Sequence, residues 1–136
     1  MTNLKKLNIL LVEDEDCLRQ ETAAFLELFC GRVIVAANGR EALELFDKQR
    51  PDLVISDIRM PFMDGVELAT CLKERSPETP VIFCSAFPDT SYPLKGIDQK
   101  VAAFVRKPVD TDELLSVIAK AAAPILQRQE IADLSD

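Results

Sequence analysis

The sequence predicts an α/β protein built on a doubly wound, five-stranded parallel sheet with helices on both faces. Short runs of branched apolar residues alternate with longer amphipathic segments along the chain. That alternation implies β-α-β units, whose right-handed crossovers leave few topologies to choose from. The central run, Leu53-Val54-Ile55, lies between Pro51 and Met60-Pro61 and reads as a strand covered on both sides. At 136 residues the chain is long enough for one domain with a full core and too short for two ordinary ones.

Ile9 to Val12 is the first strand, followed by an acidic turn, Glu13-Asp14-Glu15-Asp16. A helix follows, with Leu18, Thr22, Phe25 and Phe29 spaced as one stripe and Gly31 just past its end. Val33 to Ala36 is a second strand, and Asn38 caps a helix carrying Ala42, Leu43 and Phe46. After the central strand, Asp64 caps a third helix bearing Leu68, Ala69 and Leu72, which the Ser76-Pro77 step ends. Val81 to Ser85 and Ala102 to Arg106 are the last two strands. Asp110 and Glu113 form a capping box for a final helix using Leu114, Ile118 and Ile125.

Between the fourth and fifth strands, where a fourth helix is due, Pro88, Pro93 and Gly96 disfavour a long one. Ser91 suits the cap of a two-turn helix with Pro93 in its first turn, so a short or disordered helix is expected there. Pro124 is expected to end or kink the last helix. The expected organisation is therefore a domain over 1–123 and a C-terminal tail or linker stub over 124–136.

Composition excludes several functions. A net charge of −7 offers no clustered basic face for direct contact with nucleic acid. The absence of histidine removes Ser-His-Asp triads and histidine metal sites. Cys17, Cys30, Cys71 and Cys84 form no CxxC pair and read as packed, reduced thiols. No apolar run approaches membrane-spanning length, and the amino terminus has no signal-peptide core, so the expectation is a cytoplasmic protein with no membrane partner.

Asp57 ends the central strand, at the sheet edge where open α/β folds bind ligands. A strand-terminating Asp also caps turns, so the company it keeps decides its role. The same edge collects Glu13 and Asp14 from the first strand, Ser85 from the fourth and Lys107 from the fifth. Crowded carboxylates ionise poorly without a cation. All-oxygen ligation favours Mg²⁺, with Mn²⁺ the alternative, held by Asp14 and Asp57 with Glu13 outside them. Lys107 supplies a point charge and Ser85 a hydroxyl for a phosphoryl group, with Asp57 as its nucleophilic acceptor.

Four elements in order, Glu13-Asp14 after ILLV, Asp57 within DIRMPFMDG, Ser85 in VIFCSA and Lys107-Pro108 after AAFVR, resemble the receiver domain of bacterial two-component response regulators, of the chemotaxis-regulator kind. The resemblance spans about Lys6 to Ala123. It implies a flavodoxin-like fold, a metal also held by the main-chain carbonyl of Arg59, and a cis Lys107-Pro108 bond. It further implies phosphorylation of Asp57 by a histidine kinase or histidine phosphotransfer protein, the state being passed to an output domain or protein by partner binding rather than by metabolic turnover. Homodimerisation is left open. Phe104 reads as core by strand alternation and as the switch aromatic that follows Ser85 by resemblance.

Arg59 and Phe87 occupy positions that tune dephosphorylation in the family, and an arginine with a bulky ring is expected to shield the acyl phosphate and prolong it. The unusual segment from Pro88 to Gly96 implies an output surface unlike that of common DNA-binding regulators. Two other classes share the strand-end logic. An aspartate-dependent phosphatase of the haloacid-dehalogenase type carries a second Asp where this chain has Arg59. A flavin- or nucleotide-binding module needs a Gly- or Ser/Thr-rich loop after the first strand, where Glu13 to Asp16 would repel phosphate.

Overall fold

The structure, a computed structural model, describes residues 4–60, 62–85 and 103–135, with side chains followed through residue 128. A short 3-10 turn, Leu4–Lys6, leads into β1 (Asn8–Val12), α1 (Asp16–Phe29), β2 (Arg32–Ala36), α2 (Gly39–Gln49) and β3 (Leu53–Asp57). Then come α3 (Gly65–Arg75), β4 (Val81–Ser85), β5 (Ala103–Arg106) and α4 (Thr111–Ser135). All five strands pair in parallel in the order β2-β1-β3-β4-β5, the doubly wound, flavodoxin-like arrangement that the alternation of elements predicts.

Strand residues divide between two cores by alternation, because successive side chains point to opposite faces of a sheet. Ile9, Leu11, Leu53, Ile55, Ile82 and Val105 pack with Leu26 of α1 and Leu114 and Ile118 of α4. Leu10, Val12, Val54, Val81 and Phe83 pack on the other face with Phe46 of α2 and Leu68 and Leu72 of α3. β3, at the centre, is buried along its whole length, which is why its sequence shows no polar alternation.

Local caps fall where the residues place them. Asn38 accepts from the Glu41 amide and Asp64 from the Glu67 amide, while Asp110 accepts from Asp112 and Glu113. The α1 stripe differs from expectation. Its buried line is Ala23, Leu26 and Cys30, whereas Phe29 is exposed and Leu18, Thr22 and Phe25 are half-buried around a cavity of about 520 Å³. Spacing suggested one face; the sheet seats the neighbouring one.

The last helix also departs from expectation, continuing through Pro124 to Ser135 rather than ending there. A proline inside a helix costs about 3 kcal/mol. Ala122 and Leu126, on either side of it, are both buried in the core shared with α1, and that packing offsets the lost hydrogen bond. The expected short fourth helix, Phe87, and the Pro88 to Gly96 segment all lie outside the described residues. Among those residues, no helix is long and apolar enough to cross a membrane.

Candidate functional site

Strand register brings the polar residues together. Val12 pairs with Ser56 and Cys84 with Asp57, so Glu13 and Asp57 leave the sheet at the same level. The Glu13 amide donates to the Ala36 carbonyl at 3.0 Å, carrying the β1–β2 ladder one residue further. On the other side, Ser85 pairs with Arg106, and the Lys107 amide donates to the Ser85 carbonyl at 2.8 Å. Lys107 thus enters the site from a ladder position. The bond to Pro108 that follows is cis.

Its ammonium reaches both buried acids. Lys107 Nζ lies 2.6 Å from Asp57 Oδ1 and donates to Glu13 Oε1 at 2.7 Å. Asp57 is 9% exposed and Glu13 5%, so the Lys107 ammonium compensates charge that burial would otherwise leave costly. Asp14 is exposed, and one carboxylate oxygen from each of Glu13, Asp14 and Asp57 lies within 4.8 Å of the others. An all-oxygen donor set of this kind fits a hard divalent cation such as Mg²⁺.

The carboxylates titrate as a group. Burial, followed by the neighbouring Glu13, pushes Asp57 up to about 8 against the pull of Lys107. Burial acts to raise Glu13 as well, but hydrogen bonds with Asp57, Lys107 and the Glu15 amide bring it down to about 2. Asp14 is raised by burial and by Glu13. Lys107 loses solvation, yet its bonds to Asp57 and Glu13 raise it overall, keeping it charged. The raised Asp57 means that the metal-free group holds a proton more tightly than isolated carboxylates would, and a divalent cation would compete for that place.

The remaining residues singled out by sequence sit around this centre. Ser85 ends β4 at the site edge, half-buried. Phe104 packs edge-on against Phe83, ring centroids 5.7 Å apart, and is half-buried above the core of α2 and α3. Arg59 is exposed two residues past Asp57. Phe87 is not among the described residues. Cys84 is buried, and its thiol is pushed up to about 12 by burial and by Asp57, so it is poorly reactive. All four cysteines are free.

Sequence reasoning missed three features. Arg19 donates to the Glu13 main-chain carbonyl at 2.9 Å and pairs with Asp16; its spacing three residues after Asp16 was the available signal. Gly65 donates to the Ile58 carbonyl at 2.6 Å, and a Cβ there would lie 2.2 Å from the Asp57 carbonyl. Phe62 is 80% exposed with φ 71°, a left-handed conformation costly for a bulky residue. The cavity beside α1 is lined by Glu13, Asp57 and Lys107 together with Leu18, Phe25 and Leu114.

A family profile described as the response regulator receiver domain matches residues 9–119. The positive alginate biosynthesis regulatory protein of Pseudomonas aeruginosa is 35% identical over 132 residues, covering 95% of this chain and 52% of that protein. The response regulator Rre1 of Synechocystis sp. is 38% identical over 120 residues, covering 86% and 52%. The chain thus spans about half the length of these relatives. The chemotaxis response regulator CheY4 of Vibrio cholerae superposes with a TM-score of 0.77 at 28% identity, covering 85% of this chain and 98% of that structure.

Proposed function

The chain belongs to the response regulator receiver domain family, and from that premise we propose that Asp57 is its phosphoryl acceptor and that the phosphorylated state is read by a partner. Receiver domains interact with histidine kinases and output domains, and act as signalling switches. The observation that carries the assignment is the Lys107 ammonium shared by Asp57 and Glu13 at the strand ends, beside a triad of carboxylates suited to a divalent cation.

Asp57 attacks phosphorus as the carboxylate. One of its oxygens forms the new bond to phosphorus while the donor's bond breaks, and the donor nitrogen of a histidine kinase or phosphotransfer protein keeps the electron pair. Lys107 favours the ionised carboxylate against the burial that opposes it, and then lies within reach of the phosphoryl oxygens. Ser85 donates its hydroxyl to one of those oxygens. Asp14, Asp57 and the Arg59 carbonyl are assigned to Mg²⁺, or Mn²⁺, with Glu13 outside them; when bound, the ion neutralises charge on the carboxylates and the phosphoryl group.

Readout passes from Ser85 to Phe104. The half-buried, edge-on packing of Phe104 against Phe83 suits an aromatic with an inward and an outward position. Arg59 and Phe87 shield the acyl phosphate, and replacing both with small polar residues should accelerate its decay. The net charge of −7 argues against direct contact with nucleic acid. A cytoplasmic location completes the reading, with the domain taking in α4 past Pro124, where Leu126 packs in the core.

The test is incubation of the purified chain with acetyl phosphate and Mg²⁺, followed by intact mass. One phosphoryl group on the wild type and none on Asp57→Asn is expected. Equal labelling of the two would overturn the assignment.

A further inference from the structure

Four successive acids, Glu13 to Asp16, follow β1, and Asp57 faces them across the sheet edge. At such separations like charges repel strongly wherever water is excluded. Lys107 serves Glu13 and Asp57. The rest of the turn is tied back by Arg19, in the first turns of α1, through two different kinds of acceptor. One guanidinium nitrogen donates to the Glu13 main-chain carbonyl at 2.9 Å, and the other pairs with the Asp16 carboxylate.

The bond to the carbonyl carries the inference. Charge attraction alone would draw Arg19 towards any of the neighbouring carboxylates. A bond to the Glu13 carbonyl instead fixes the peptide plane between Glu13 and Asp14, and that plane governs where both side chains leave the backbone. The planar fork of a guanidinium suits the task, since it holds two acceptors in a set relation, and the Arg19 side chain is only 16% exposed. On the other side of the turn, the Glu15 amide donates to Glu13 Oε2 at 3.2 Å, so the Glu13 carboxylate is tied to the start of α1 as well.

We propose that Arg19 is a positioning residue of the acidic turn: its fork holds the Glu13-Asp14 peptide so that both carboxylates converge with Asp57 on one divalent cation. The inference rests on the phosphorylation reading only in that the cation serves that reaction.

Electrostatics and positioning predict opposite signs. If Arg19 were only a nearby positive charge, removing it would tighten Mg²⁺ binding by lowering repulsion of the ion. If it positions the turn, removing it weakens binding, by about tenfold, as is usual when a group supporting metal ligands is lost.

The experiment is calorimetric titration of the full metal-free chain with Mg²⁺ for wild type, Arg19→Met and Arg19→Lys, with thermal unfolding in chelator as the folding control. The expected result is weaker Mg²⁺ binding by both variants, with faster exchange of the Glu15 amide in the metal-free state. Arg19→Lys keeps the charge while losing the fork, so it also reads the outcome if Arg19→Met does not fold. Unchanged or tighter binding in a folded variant, or no Mg²⁺ binding by wild type, overturns the proposal. Wild type that binds Mg²⁺ yet takes no phosphate from acetyl phosphate instead overturns the phosphorylation reading and leaves the role of Arg19 intact.

Discussion

Lys107 Nζ sits 2.6 Å from Asp57 Oδ1, a contact between residues 50 positions apart in the chain, made possible because β3 and β5 flank β4. The same ammonium donates to Glu13. One cation thus compensates two buried carboxylates, and the chemistry assigned to Asp57 depends on it.

Replacing that cation separates its role from that of the metal. Lys107→Met keeps the unbranched stem, one atom shorter, and removes the charge. Phosphorylation by acetyl phosphate should slow by roughly 10²-fold, the usual cost of losing one group that stabilises charge in the transition state. Calorimetric Mg²⁺ affinity should not weaken, because a competing positive charge has left the carboxylates. A phosphorylation time course by intact mass that matches wild type would remove Lys107 from the mechanism.

The pH dependence follows from Asp57. Its folded value, about 8, lies above the ordinary 3.8, so between those values the folded chain binds more protons than the unfolded one. The stability it contributes is fully present below the unfolded value and is lost as pH rises through about 8. Glu13 works in the opposite sense, its contribution being present above 4.5 and lost only as pH falls through about 2. In chelator, thermal stability of the wild type should therefore decline from pH 5 to pH 8.5 relative to Asp57→Asn. Parallel profiles for the two proteins would contradict the raised value.

Gly65 tests the seat of Asp57. Alanine normally favours a helix position over glycine by about 0.5–1 kcal/mol. Here the added methyl would meet the Asp57 carbonyl at 2.2 Å, a backbone contact that cannot rotate away. Overpacking of this kind costs roughly 1–3 kcal/mol, so the clash should win and Gly65→Ala should destabilise. Urea denaturation showing a gain in stability would mean that the β3–α3 turn relaxes freely.

Phe62 offers the reverse case. Its left-handed backbone carries a cost of about 1–2 kcal/mol for an ordinary residue, and its exposed ring contributes little packing in return. Asparagine tolerates this conformation well. Phe62→Asn should stabilise by about 1 kcal/mol, raising Tm by roughly 4 °C. An unchanged or lower Tm by scanning calorimetry would show that the ring makes compensating contacts.

Caps and strand positions were legible because their causes are local. Asn38, Asp64 and Asp110 each bond to amides two or three residues ahead, so a short window contains both partners. The α1 stripe was harder, since Leu18, Phe25 and Phe29 share a helical spacing with residues on the adjoining face. Only the sheet decides which face it covers, and it covers Ala23, Leu26 and Cys30. Pro124 misled for a related reason: a local breaking signal was outweighed by burial of Ala122 and Leu126 against residues distant in sequence.

By itself the sequence determined the order of the described strands and helices, the parallel sheet and the set of polar residues at the strand ends, because periodicity and right-handed crossovers leave few other solutions. Tertiary structure alone decided that one lysine serves Glu13 and Asp57 together, that Arg19 ties the acidic turn through a main-chain carbonyl, and that Gly65 abuts the Asp57 backbone. Those relations depend on ångström-scale register between strands and helices, and on exclusion of water, neither of which is encoded in the spacing of residues along the chain.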